Sequence, residues 1–386
     1  MEFFKGKKLA VFLSILLIVA VYACSKKGDP SPSPEHPVDQ KSLDRKAILT
    51  NIADNMVIPA YGKFKVKFEL MLTKSNDFTT APNNASLVEF RTAWADAYTE
   101  WQKVELFDFG PGQVQAIRSY FNIYPASETG IAANIATGAN ANLDVPASFP
   151  TQGFPALDYL LNGLGTTDQA ILSFYTTDAN AAKRIDYIKL ITNRMNTVFT
   201  KVNTAWITTY RNEFINNTGI DASSSTSVLV NSYVLNFERF IRSGKFGIPS
   251  GAMLNGVVAA EKVEAFYKKD ISLVLAKTAA QATIDFFNGK SATTGIEGPS
   301  LKSYLDGLTA KDSSTGTSLT QVLNAQFQVI NQKLNLLSPN LYNQVKTDNQ
   351  AMVNVYKEMQ KAVRLLKVDM TSAMSITISY TDNDGD

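Results

Sequence analysis

The chain has 386 residues, 45% of them hydrophobic and 10% aromatic, which suffices for one large or two ordinary domains with packed cores and excludes a disordered protein. Its 37 Lys and Arg against 35 Asp and Glu give a formal charge of +2, with none of the basic excess that nucleic-acid binding needs. A single Cys and a single His leave no material for an in-chain disulfide or a Cys-type metal site.

The first residues, "MEFFKGKKLAVFLSILLIVAVYAC", set Lys5, Lys7 and Lys8 before an apolar run from Leu9 to Val21, with Ala23 just ahead of Cys24. This is the pattern of a secretion signal. It resembles bacterial lipoprotein signals, which implies cleavage before Cys24 and acylation of that residue, although Tyr22 is bulkier than the usual small residue. A retained anchor helix or an ordinary signal is the alternative. Residues 1–23 are therefore expected to be removed, and residues 24–40, rich in Pro and Ser, to form a tether between a membrane anchor and the folded body. Loss of Lys5, Lys7, Lys8 and Glu2 brings the balance from 37 against 35 to 34 against 34, a net charge of zero. Ser25 is compatible with sorting to the outer membrane, facing either the periplasm or the cell surface.

Further along, Leu43, Ala47, Ile52, Met56, Phe64, Phe68 and Met71 recur at near-helical intervals, and Pro59 predicts a kink or break in a long helix. Residues 85–106 carry Phe90, Trp94, Ala97, Tyr98, Trp101 and Val104 at steps of three and four and stop at Gly110 to Gly112, the clearest amphipathic helix in the chain. A shorter helical piece ends at Pro125, and a stretch rich in small residues follows. Residues 180–214 show a third stripe in Ile188, Met195, Val198, Val202 and Trp206. The polar break at 216–227 predicts a boundary between an N-terminal bundle, residues 41–220, and a C-terminal bundle, residues 221–386. The second half reads as a helix over 226–243, a Gly/Pro turn, a long helix over 257–288 and a helix pair over 318–368, with Met352, Val355, Met359, Val363 and Leu366 as a core face. Only the end, "SAMSITISYTDNDGD", alternates as a strand does. The expected architecture is all-α, two helical-bundle domains.

The only histidine, His36, falls in the Pro/Ser tether. A Ser-His-Asp triad, a Cys-His pair and an HExxH zinc hydrolase all need an imidazole in a rigid pocket. No serine has a lysine three residues later, so a Ser-x-x-Lys nucleophile has no support. The "GKS" at 289–291 lacks the first glycine of a phosphate loop, since position 284 is Ile284. Carboxylates are the remaining ligands for a cation, and Glu100, Glu105, Asp158, Glu238, Glu261 and Glu264 are the candidates, most of which read as solvated helix faces. Arg239 and Arg242, three apart, would share a helical face and hold an anionic ligand or pair with a carboxylate. The terminal "TDNDGD" ends before a bidentate glutamate could complete a calcium loop and reads as a polar tail.

The segments "NIADNMVIPAYGKF", "FRTAWADAYTEWQKVELFDFGP", "RSYFNIYP", "GFPALDYLLNG", "FIRSGKFGIPSG" and "SITISYTDNDGD" together resemble the imelysin family, also classed as M75 peptidases, over about residues 51–386. The resemblance implies an all-helical fold of two bundle-like domains and a bacterial envelope protein linked to iron acquisition. The family's Gly-x-His-x-x-Glu motif begins a helix on which His and Glu, three apart, can reach one cation. Here Gly153 keeps the glycine, while Pro155 replaces the histidine and Asp158 the glutamate. Proline has no donor atom for a metal. Two readings of the stretch stay open: a helix start, with Gly153 in the turn, Pro155 in the first helical turn and Asp158 near the positive end of the helix dipole, or an altered pocket using Asp158 as a ligand.

The resemblance, the secretion signal and the missing catalytic imidazole together imply a binding or accessory lipoprotein of iron or haem uptake, without proteolysis, whose partners are the membrane, through Cys24, and an uptake receptor. A metallopeptidase using carboxylate ligands is one alternative. A protein or glycan scaffold with a decayed metal site is the other.

Overall fold

The computed structural model describes residues 40–138 and 141–381. The secretion signal, Cys24, His36, nearly all of the tether and the last five residues of the acidic tail lie outside the described residues.

A first helix, α1 (Gln40–Asn51), runs through a wide π-helical turn, Ile52–Val57, into α2 (Ile58–Thr80). Pro59 sits in the first turn of α2, where its missing N–H costs nothing, so the interruption expected before it is a π turn and not a break. Ile52, Met56, Phe64, Phe68 and Met71 are buried as their spacing predicts. Ala47 is exposed, and Ile48 and Leu49 take its place in the core.

The next helix, α3 (Asn84–Trp101), begins with a reciprocal cap in which Asn83 Oδ1 accepts from Ser86 N at 3.0 Å and Ser86 Oγ accepts from Asn83 N at 3.1 Å. Its predicted stripe is wholly buried. Two short helices, α4 (Pro111–Val114) and α5 (Ile117–Phe121), precede α6 (Glu128–Thr137) and α7 (Gly153–Asp158). Then come α8 (Asp168–Thr176) and the long α9 (Ala181–Ala205), with α10 (Arg211–Asn216) after a π turn. Helices α2, α3 and α9 meet around aromatic rings: Phe64 lies 5.5 Å from Trp101 and 5.0 Å from Phe199, and Trp101 stacks on Phe121 at 4.6 Å. Such pairs add roughly 0.5–1.5 kcal/mol each beyond area burial.

After the break at 216–227, α11 (Ser225–Leu235) continues into a twelve-residue π-helical run, Asn236–Gly247, which packs on α16 (Asn349–Arg364). The long helix expected from 257 starts only at 272 as α12 (Ser272–Asn288). Before it the chain makes turns, with left-handed Ala265 (φ 55°) and Lys269 (φ 63°) that no helix accommodates. Helices α13 (Leu301–Gly307), α14 (Leu319–Leu334) and α15 (Leu341–Thr347) lead to α16, which passes through another π turn into α17 (Thr371–Ala373). Across the break, Phe107 packs on Phe286 at 5.9 Å and Ser232 Oγ donates to Leu106 O at 3.3 Å. The described residues from Asp44 onward form one compact unit.

The described residues contain helices and two isolated bridging pairs but no strand, in keeping with the all-α expectation. The alternating segment near 377 is not a strand. Asn231 brackets it, as Ser379 N donates to Asn231 Oδ1 at 2.7 Å and Asn231 Nδ2 donates to Thr377 O at 3.0 Å. No described helix is long and apolar enough to cross a membrane.

Candidate functional site

Gln152 is the N-cap of α7, and the helix opens with Gly153 at φ +76°, a conformation that favours glycine. A Cβ there would lie 2.4 Å from Phe121 O, so the glycine also permits direct contact with the end of α5. Pro155 follows in the first turn, where no amide donor is needed. Phe154 stacks on Tyr98 of α3 at 4.5 Å and its carbonyl accepts from Trp94 Nε1 at 3.2 Å. The helix-start reading of Gly153 and Pro155 therefore accounts for both residues.

Asp158 differs from that reading. It ends α7 and does not begin it, so the dipole of its own helix offers it nothing. The side chain is 1% exposed and its carboxylate accepts from Tyr267 N and Lys268 N, both at 2.9 Å, and from Asn162 Nδ2 at 3.1 Å. Burial nevertheless pushes its pKa up to about 7, against the opposing pull of these donors. The carboxylate grips a strap, residues 263–271, that runs from the turn Ala260–Lys262 to α12.

Three residues before Tyr267, the same strap carries Glu264 into a buried polar cluster. Glu264 Oε1 accepts from Tyr98 Oη at 3.0 Å, Gln102 Nε2 at 3.1 Å and Asn122 Nδ2 at 2.9 Å, while Oε2 pairs with Lys245 Nζ from the π-helical run. Asn122 Nδ2 also donates to Glu105 Oε1 at 2.9 Å, and Glu105 pairs with Arg118 Nη1 at 2.6 Å. Lys245 Nζ donates a further bond to Gln102 Oε1 at 2.8 Å. Two cations thus balance two carboxylates inside the fold. Burial, then the Glu264 charge, holds the Tyr98 hydroxyl well above its ordinary pKa, so it acts as a hydrogen-bond donor.

Of the carboxylate candidates, the structure brings only Glu105 and Glu264 into one cluster. Glu100 pairs with Lys103 at 2.7 Å on the rim of an open cleft, and Glu261 is exposed. Glu238 pairs with Lys367 at 3.0 Å and accepts from Tyr380 Oη at 2.7 Å. Arg239 and Arg242 do not act together. Arg242 is buried, pairs with the Glu238 carboxylate at 3.8 Å and donates to Gln360 Oε1, whereas Arg239 Nη2 donates to Thr381 O at 2.6 Å. The physical reason is the π-helical run that carries them, whose wider i→i+5 turn moves residues three apart off a common face. Tyr98, Gln102, Arg118, Asn122 and Lys245 were not singled out by the sequence as site residues. Tyr98 belongs to an apolar stripe, and the others reach partners up to 162 positions away that no local pattern encodes.

The residues at the motif do not fit a bound transition metal. Both Asp158 oxygens accept hydrogen bonds, Pro155 has no donor atom, and among the described residues no three His, Cys, Asp or Glu side chains stand close enough to hold an ion. The arrangement positions backbone.

These features define an all-helical protein with a glycine-opened motif helix beside a buried polar cluster. The chain belongs to the imelysin family, peptidase M75, whose profile matches residues 57–368. Comparison with curated proteins gives no match. Among solved structures, an iron-regulated protein A precursor from Parabacteroides distasonis is similar with a TM-score of 0.68 and 16% identity, over 86% of this chain and 96% of that one. An imelysin-like protein from Psychrobacter arcticum is similar with a TM-score of 0.62 and 18% identity, over 88% of this chain and 98% of that one. At these identities the likeness concerns the fold.

Proposed function

We propose that this protein serves iron acquisition as a binding or accessory lipoprotein, anchored through Cys24 to the outer membrane, and that it is not a peptidase. Membership of the imelysin family and the fold shared with a protein named as iron-regulated support the iron-related part. The single observation that carries the non-proteolytic part is the engagement of Asp158. The one carboxylate left in the motif clamps Tyr267 N and Lys268 N at 2.9 Å, and its would-be partner is Pro155. Hydrolysis of a peptide needs a polarised water or an activated nucleophile, and a buried carboxylate engaged by three amide donors is poorly placed to supply either. Iron or haem is cargo in this reading, passed to or from an uptake receptor.

Calorimetric titration of the full chain with ferric citrate and with haemin, beside a peptide-cleavage assay with and without chelator, tests the proposal. The expected result is saturable binding of one iron species and no cleavage. Chelator-sensitive cleavage abolished by Asp158→Asn would establish the metallopeptidase alternative. Absence of both binding and cleavage would leave a protein or glycan scaffold.

A further inference from the structure

On the far side of α3 from the polar cluster, an open cleft of about 820 Å³ lies between α2, the end of α3 and α12. Its size falls within the range of small-molecule sites, about 300–1,000 Å³. Met56, Leu106, Phe107 and Phe286 give it apolar walls, and four lysines, Lys63, Lys103, Lys277 and Lys290, line it from different elements. Only two carboxylates share the lining, Glu100 and Asp285. Each is matched with one lysine, Lys103 to Glu100 at 2.7 Å and Lys290 to Asp285 at 3.4 Å.

The other two lysines have no carboxylate partner among the described residues. Lys63 Nζ donates to the Ala292 carbonyl and Lys277 Nζ to Asn335 Oδ1, both neutral oxygens. Two ammonium charges therefore face one apolar-walled cleft with no carboxylate ion-pair partner among the described residues. An anion entering here exchanges a neutral acceptor for a charged one, which makes a stronger hydrogen bond, while its apolar part covers the aromatic walls. We infer that this cleft binds a small organic dianion, an apolar body bearing two acidic groups held by Lys63 and Lys277. The site is separate from Asp158 and the buried cluster, and the inference stands whether or not the protein binds iron.

The test is a fluorescence titration of the full chain with bis-anilinonaphthalene disulfonate, a dianion with an apolar body, at low and high salt. The wild-type chain should bind one equivalent saturably, and more weakly at high salt because the lysines are solvent-facing. Lys63→Gln combined with Lys277→Gln should weaken binding by about tenfold or more, two lost charge-assisted hydrogen bonds. Ala282→Trp, which fills the cleft from α12, should abolish it, and Lys65→Gln, on a lysine that does not line the cleft, should leave it unchanged. Both lysines are exposed, so the double variant should fold, and equal melting temperatures establish that it has. No saturable binding by the wild-type chain, or binding unchanged in either the lysine double variant or Ala282→Trp, would overturn the inference.

Discussion

Asp158 accepts the amide proton of Tyr267 at 2.9 Å, across 109 positions of sequence, and so fixes the strap that delivers Glu264 to the buried cluster. Asp158 thus acts as a backbone clamp. Truncating it in Asp158→Ala leaves the Tyr267 and Lys268 amides without their acceptor. The expected loss is about 2–4 kcal/mol, the sum of two unsatisfied partly buried donors. Urea unfolding of the variant measures it, and a loss under about 0.5 kcal/mol would show that the strap is held by other contacts.

The same carboxylate makes stability depend on pH. Its folded pKa, pushed up to about 7 by burial, exceeds the ordinary value of 3.8, so the folded state binds the proton more tightly than the unfolded one. The resulting stabilisation is fully present below about pH 4 and is lost as pH rises through 7. Between pH 4 and 7 the wild-type chain should lose stability relative to Asp158→Asn, by up to about 1.4 kcal/mol per pH unit. Parallel melting curves of the two chains across that window check this; curves that keep a constant separation would refute it.

Much of the helical core was legible because burial of a helix follows its 3.6-residue period, and the stripes of Trp94, Met195 and Met359 lie where their spacing puts them. The clamp and the cluster were not. Residues 257–271 have the apolar content of a helix, yet left-handed Ala265 and Lys269 turn the chain into a strap whose partners are Asp158 and Asn122. Arg239 and Arg242 face different surroundings for a related reason, since nothing in local composition announces a π-helical run, although Arg242 does pair with a carboxylate, Glu238. Gly153 and Pro155 were legible because each acts through its own backbone.

Gly153→Ala is expected to be strongly destabilising. The left-handed φ of +76° disfavours any side chain, and a Cβ would meet the Phe121 carbonyl at 2.4 Å, a backbone atom with little room to move. A loss of about 2–4 kcal/mol should be seen in denaturant unfolding. A melting temperature equal to that of the wild-type chain would contradict the close contact between α7 and α5.

The Lys245 and Glu264 pair, each 2% exposed, calls for a double-mutant cycle. Removing one partner strands a buried charge and should cost about 3–5 kcal/mol, as in Lys245→Met, whereas Lys245→Met with Glu264→Met should cost much less than the two single losses added together. Additive losses would mean that the two side chains are not coupled.

The central claim is that Asp158 holds backbone and not a metal. Hydrogen exchange at the Tyr267 and Lys268 amides, followed in the wild-type chain and in Asp158→Asn with and without ferrous or zinc ions, tests it most directly. Strong protection in the wild-type chain that metal leaves unchanged, and faster exchange in the variant, are the expected results. Amides that lose protection when metal is added to the wild-type chain would show the carboxylate leaving the strap to coordinate an ion, and would contradict it.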